Sequence, residues 1–156
     1  MEKPSWAPLV LSGAFPREFT DLLAIIVIAL FGLEASLVRL SLAGFELGPL
    51  ILFLSIPPTC ALASMSNTAR KLREEQALLA YGGSGWQVGL KHFLRGFTCS
   101  MIAVSPPLLW EFLAKGSPLM LQTSLVAFAA LVGGLSYAAP GLRRIRSMEF
   151  AENYKA

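Results

Sequence analysis

Polar residues gather in a few places along this chain, and long apolar stretches lie between them. Four runs, about residues 20 to 43, 48 to 66, 96 to 114 and 118 to 140, are apolar on every side. A helix of about 20 apolar residues crosses the hydrocarbon core of a bilayer. The pattern therefore predicts an all-α integral membrane protein with four transmembrane helices. Barrel strands alternate polar and apolar residues, which LLAIIVIALFGL and SLVAFAALVGGL do not. The long polar run from Thr68 to Gly96 predicts two short amphipathic helices hinged at Gly82 to Gly85. Leu72, Gln76 and Leu79 fall on one helical stripe, with Arg70, Lys71, Arg73, Glu74 and Glu75 around the rest. The second span is thus expected to run on into the cytoplasm until Gly82, Gly83 and Gly85 end it, with Ser84 capping the next helix. From Trp86, the residues Val88, Leu90, Phe93 and Leu94 predict a surface helix that feeds the third span.

Composition agrees with the membrane reading: 156 residues, 54% hydrophobic and only 15% charged, against about a quarter charged in soluble domains. Lys and Arg orient the spans, because short cytoplasmic loops hold an excess of them. With both termini inside, eleven of the 13 basic residues lie on the cytoplasmic side, and only Arg39 and Lys115 lie outside. A net charge of +3 then suits anionic headgroups at the inner leaflet and calls for no nucleic acid. The chain divides into an N-terminal interfacial segment (1–19), a transmembrane domain (20–140) with a cytoplasmic loop (67–95), and a basic cytoplasmic tail (141–156). The N-terminal segment, broken by Pro8 and Pro16, does not read as a secretory signal. Localisation is expected in the cell membrane, multi-pass.

Inside the spans a few residues stand out. Pro57-Pro58 and Pro106-Pro107 sit near mid-membrane, and each pair is expected to kink or break its helix, as a hinge or as a packing feature. Glu34 in the first span is costly in lipid and is a functional candidate, alone or paired with Arg39. Glu111 and Lys115 read as an ordinary surface pair. Ala129 with Gly133, and Ala130 with Gly134, put small residues four apart, which suits close helix packing within the chain or in a dimer. Cys60 and Cys99 read as small apolar packing residues. His92, the sole histidine, has no ligand-spaced companion for a metal or a triad. No Gly-Lys-Ser/Thr comes after Gly82-Gly83-Ser84-Gly85, so these glycines make no phosphate loop.

The run Arg70-Lys-Leu-Arg-Glu-Glu-Gln-Ala-Leu-Leu-Ala-Tyr-Gly-Gly-Ser-Gly-Trp-Gln-Val88 resembles the cytoplasmic loop of the FtsX/MacB/LolC-type permeases of ABC transporters. In those, a stretch like R-x-x-E-[IL]-x-x-L-[RK]-[AS]-[LI]-G-[AS]-[ST]-x-x-[QD]-[IV] leaves the second span. The order of one span, a second, this loop and two more is also similar. Tyr81 stands where Leu or Ile is usual, and the large extracytoplasmic domain between the first two spans is absent. The resemblance implies a permease subunit without catalytic residues or cofactor. ATP is hydrolysed by a separate ABC ATPase subunit, and a second permease copy or a larger permease pairs with the chain. It implies coupling through Arg73, Glu74, Glu75, Leu78, Leu79, Gly82, Ser84, Gln87 and Val88, the leucines anchoring in the partner and Arg73 and Glu74 at the rim of that contact. A scaffold subunit whose loop binds a non-ATPase cytoplasmic protein is the alternative.

Overall fold

The computed structural model describes residues 15–16, 18–37, 41–42, 45–66, 68–80, 84–116 and 118–153. Most of the interfacial segment, Arg39, Gly82 and the last residues of the tail lie outside them, as do the side chains of Glu111 and Lys115. The expected all-α class is what forms: α1 (Phe19–Leu37), α2 (Leu47–Met65), α3 (Thr68–Ala80), α4 (Gly85–Lys115) and α5 (Leu119–Asn153). The first helix is described to Leu37 and does not reach the expected residue 43. Ser41–Leu42 and Phe45–Glu46 pair instead as two-residue antiparallel strands, Ser41 opposite Glu46, so that strand bonds serve backbone that another helical turn would have served. Among the described residues, Thr123–Arg146 is long and apolar enough to cross a membrane. A second such span exists if Leu50–Met65 and Arg70–Ala80 count as one bent unit.

Helix α1 packs on α2 and α4, and α5 packs on the same two, so the four long helices close a ring in the order α1, α2, α5, α4. Ala24 and Ile28 of α1, Leu52, Ile56 and Cys60 of α2, Ala103 and Val104 of α4, and Ala129 and Tyr137 of α5 fill its interior. Glycines set the α4–α5 distance: a Cβ on Gly96 would lie 2.5 Å from the Gly133 carbonyl oxygen, and one on Gly134 would lie 2.7 Å from the Phe93 ring. The small-residue stripe of α5 therefore packs inside the chain, against α4. Gly116 ends α4 with φ 64°, its N–H bonding the Phe112 carbonyl at 3.0 Å, a left-handed cap that suits glycine.

Both proline pairs lie inside helices that continue past them, as the packing alternative has it, whereas both helix readings of the polar run are corrected. Pro107 is fully buried and its ring occupies the space a Cβ on Gly32 would take, a packing role; Ser55, Thr59 and Ser105 bond carbonyls one turn back beside the prolines. The polar run is not an extension of α2, because α3 turns 76° away from it. The cause lies in the α2 end, where Lys71 and Arg144 collect the last carbonyls, Ala63 and Ser64, that a continuing helix would have used. No separate surface helix stands beyond the glycines either. Gly85 to Arg95 form the first turns of α4, since Val88, His92 and Arg95 have buried partners on other helices.

Candidate functional site

The buried charges of this chain meet at one end of the bundle, where α1 and α4 begin and α2 ends. Buried helical stripes lead toward that end. On α1, Asp21 continues the line of Ala24 and Ile28; on α4, Val88, Lys91, His92 and Arg95 lead to Cys99; on α5, Tyr137 and Ala138 lead to Ile145. Asp21 sits in the first turn of α1, where an acidic side chain suits the helix dipole.

Asp21 is fully buried. Its Oδ1 accepts from Tyr137 Oη at 2.8 Å, and its Oδ2 accepts from Arg95 Nε at 2.7 Å and pairs with a terminal guanidinium nitrogen at 2.5 Å. Glu18 lies 3.5 Å from that guanidinium and 3.7 Å from Lys71 Nζ. Lys71 donates to the Ala63 and Ser64 carbonyls at 2.5 and 3.2 Å and lies 5.2 Å above the Tyr137 ring. One turn along α3, Glu75 Oε1 meets His92 Nε2 at 2.7 Å and Arg144 at 3.0 Å, while the His92 and Tyr137 rings stack at 6.1 Å. Outside this layer, Glu74 pairs with Lys91 at 2.8 Å and with Arg70 at 3.7 Å. The inner layer holds three carboxylates, Glu18, Asp21 and Glu75, against the cations Lys71, Arg95 and Arg144. Balanced charge of this kind is what lets so many ionised groups leave water together.

Burial pulls the Lys71 ammonium below its ordinary range, against the pull of Glu18 and Asp21. Burial pushes Glu75 up, but the His92 hydrogen bond and charge and the Arg144 guanidinium outweigh it and hold the carboxyl below the usual carboxylate range. A depressed folded value stabilises the fold above the unfolded value of about 4.3, and that stabilisation is lost as pH falls through the folded value. The melting temperature of purified protein is therefore expected to drop as pH is lowered from about 6 to below about 4. Glu75→Gln is expected to start about 3 kcal/mol less stable and to lose less over that range. An equally steep acid drop in Glu75→Gln would place the sensitivity elsewhere.

The residues implied by the resemblance separate into two groups. Leu78 and Val88 are buried within the chain beside Ile145, with partly buried Leu79 packed against them, and Glu75 is buried in the network. Arg73 is exposed, Glu74 is partly exposed, and Ser84 stands in front of α4, where Gln87 Oε1 accepts from its N–H at 2.8 Å. Glu34 is exposed near the far end of α1 and does not face the bundle interior. Cys60 and Cys99 are free and buried, Cys60 lying 3.4 Å from the Ser100 hydroxyl.

No family model matches the chain, and no curated protein or solved structure does. The site must be read from its own geometry. Among the described residues no group of three or more His, Cys, Asp or Glu side chains is placed to hold a metal ion. Lys71 and Glu75, one turn apart, link α3 to Glu18 just before α1, to the end of α2, to α4 and to α5. Sequence reading missed Glu18, Asp21 and Tyr137 as members. Asp21, three and seven residues before Ala24 and Ile28, carried a legible signal, an acid on the apolar stripe.

Proposed function

We propose that this chain is a four-span, multi-pass subunit of the cell membrane that acts as the permease of an ABC-type complex, with ATP bound and hydrolysed by a separate subunit. The spans are α1, α2, α4 and α5, with both termini cytoplasmic. Exposed Leu23 and Ile26, Leu54, Ile102 and Leu109, and Leu135 put large apolar side chains on the outside of all four, a surface that suits lipid better than water. The charge network then lies at the inner face, where the basic loop and tail place it.

One observation carries the coupling role: α3 is wired by one face to Glu18 at the head of α1 and to α2, α4 and α5, and bares another, with Arg70, Arg73, Gln76, Ala77 and Ala80 exposed. A helix held this way passes a push on its bare face to all four spans. The partner contact thus shifts from the leucines to Arg73, Gln76 and Ala77, with Glu74 at its edge, and the resemblance of the Arg70 to Val88 run supplies the partner class.

Chain captured from its own membranes in mild detergent is expected to bring down a protein that binds ATP. Arg73→Glu combined with Ala77→Glu is expected to weaken that association tenfold or more, the size of a lost interface hot spot of about 2 kcal/mol, and to lower ATP turnover with it. Capture of the chain with a cytoplasmic protein that binds no nucleotide would favour the scaffold alternative and overturn the permease reading.

A further inference from the structure

One groove on the side of the bundle, about 560 Å³ between α4 and α5, is lined by Phe97, Met101, Leu109 and Val126. Its two hydroxyls, Ser105 and Thr123, are bonded to carbonyls of their own helices. It offers nothing to select one hydrocarbon from another.

The second, about 680 Å³ between α2 and α5, is different. Pro57, Ala61 and Met65 line one wall at four-residue spacing, and Ser136, Ala139 and Pro140 line the other. The Ser136 hydroxyl is bonded to the Val132 carbonyl, so the walls present no free hydroxyl. Helices α2 and α5 run side by side toward the end where Arg144 reaches the Ser64 carbonyl, so both walls lead to that end. Pro57 to Met65 spans about 12 Å of helix. At the mouth stand Arg143, which is exposed, and Arg144, which is held by Ser64 and Glu75. An apolar track that ends on two guanidinium groups matches an amphiphile with a hydrocarbon tail and an anionic head.

We propose that this groove binds one anionic phospholipid of the inner leaflet, an acyl chain lying along Pro57, Ala61 and Met65 and the phosphate meeting Arg143. Arg143 makes the direct contact and Arg144 adds its field, since its own donors serve Ser64 and Glu75. Basic pockets between spans on the cytoplasmic side select anionic headgroups in this way, and the guanidinium fork suits a phosphate. The inference rests on the membrane reading above and not on the ATPase partner. It also connects lipid to coupling, because Arg144 is shared between the groove and Glu75 of α3.

The test uses the full chain in phosphatidylcholine nanodiscs doped with phosphatidylglycerol, with the lipid that stays bound through detergent extraction identified by mass spectrometry. Wild-type protein is expected to retain phosphatidylglycerol about fivefold over its bulk fraction, the preference one interfacial arginine confers. Arg143→Gln is expected to abolish that preference without moving the melting temperature, while Arg73→Gln on exposed α3 keeps it. Ala61→Trp, which fills the track, is expected to lose the retained lipid. Undiminished preference in Arg143→Gln, or undiminished retention in Ala61→Trp, would overturn the site. Displacement by inorganic phosphate alone would reduce it to a bare anion contact and overturn the lipid assignment. A chain that fails to sediment with membranes sinks the membrane reading itself, whereas an embedded chain with no lipid preference sinks only this site.

Discussion

Replacing Asp21 with alanine is expected to destabilise the protein by about 3–5 kcal/mol, the largest single-residue loss in the charge network. The carboxylate accepts from Tyr137 and meets Nε and one terminal nitrogen of the Arg95 guanidinium, and all three side chains are buried. Removing it leaves a guanidinium whose nearest remaining carboxylate is Glu18 at 3.5 Å, and a phenol without its acceptor. Burying an uncompensated charge costs far more than the pair contributed when intact. Thermal unfolding in detergent checks this, with Asp21→Asn falling between wild type and alanine because it keeps an acceptor for Tyr137. The triple change Asp21→Leu, Arg95→Leu and Tyr137→Phe is expected to recover most of the loss, since apolar replacements of a buried ion pair are often neutral or better. If it recovers stability yet abolishes association with the proposed ATPase partner, the network serves the proposed transmission and not stability. A triple variant as unstable as Asp21→Ala would show instead that the fold depends on these charges.

Gly96→Ala is expected to lose about 1–3 kcal/mol, whereas Gly89→Ala, two turns earlier on the same helix, is expected to be neutral or slightly stabilising. Alanine gains about 1 kcal/mol over glycine in a helix interior, so sterics decide the sign. At Gly96 the added methyl would meet the Gly133 carbonyl at 2.5 Å and the Tyr137 Cβ, both fixed by the α5 backbone. The helices must separate to admit it, and separation draws Tyr137 off Asp21. At Gly89 the nearest atom, at 2.7 Å, is a terminal methyl of Leu142, a side chain exposed enough to swing away. Denaturant or thermal unfolding of the two variants in one detergent gives the comparison. Equal effects at both sites would mean that the α4–α5 crossing is looser than its backbone spacing implies.

Much of the architecture was legible because helix formation and apolar periodicity are local. The ends of α2 and the start of α5 fall within one residue of the apolar runs, and α3 ends at Ala80 and α4 begins at Gly85, on either side of the expected hinge. The Ala129 to Gly134 stripe announced a close helix contact, which α4 fills. The site was far less legible. Glu34 drew notice as the acid in a span and is exposed, while Asp21, at the very start of α1, is the acid that the bundle encloses.

The sequence by itself determined the helical class, a helix boundary near Gly82 to Gly85 and the concentration of basic residues in the loop and tail, since backbone propensity, glycine and hydropathy act over a few residues. Only the tertiary structure decided that Lys71 and Glu75 turn inward, that Val88 and Leu78 meet Ile145, and that α4 runs unbroken from the loop into the bundle. A charge on an amphipathic helix can be solvated or paired. Which of these occurs depends on partners such as Tyr137 and Asp21, 116 residues apart, that only the packed ring brings together.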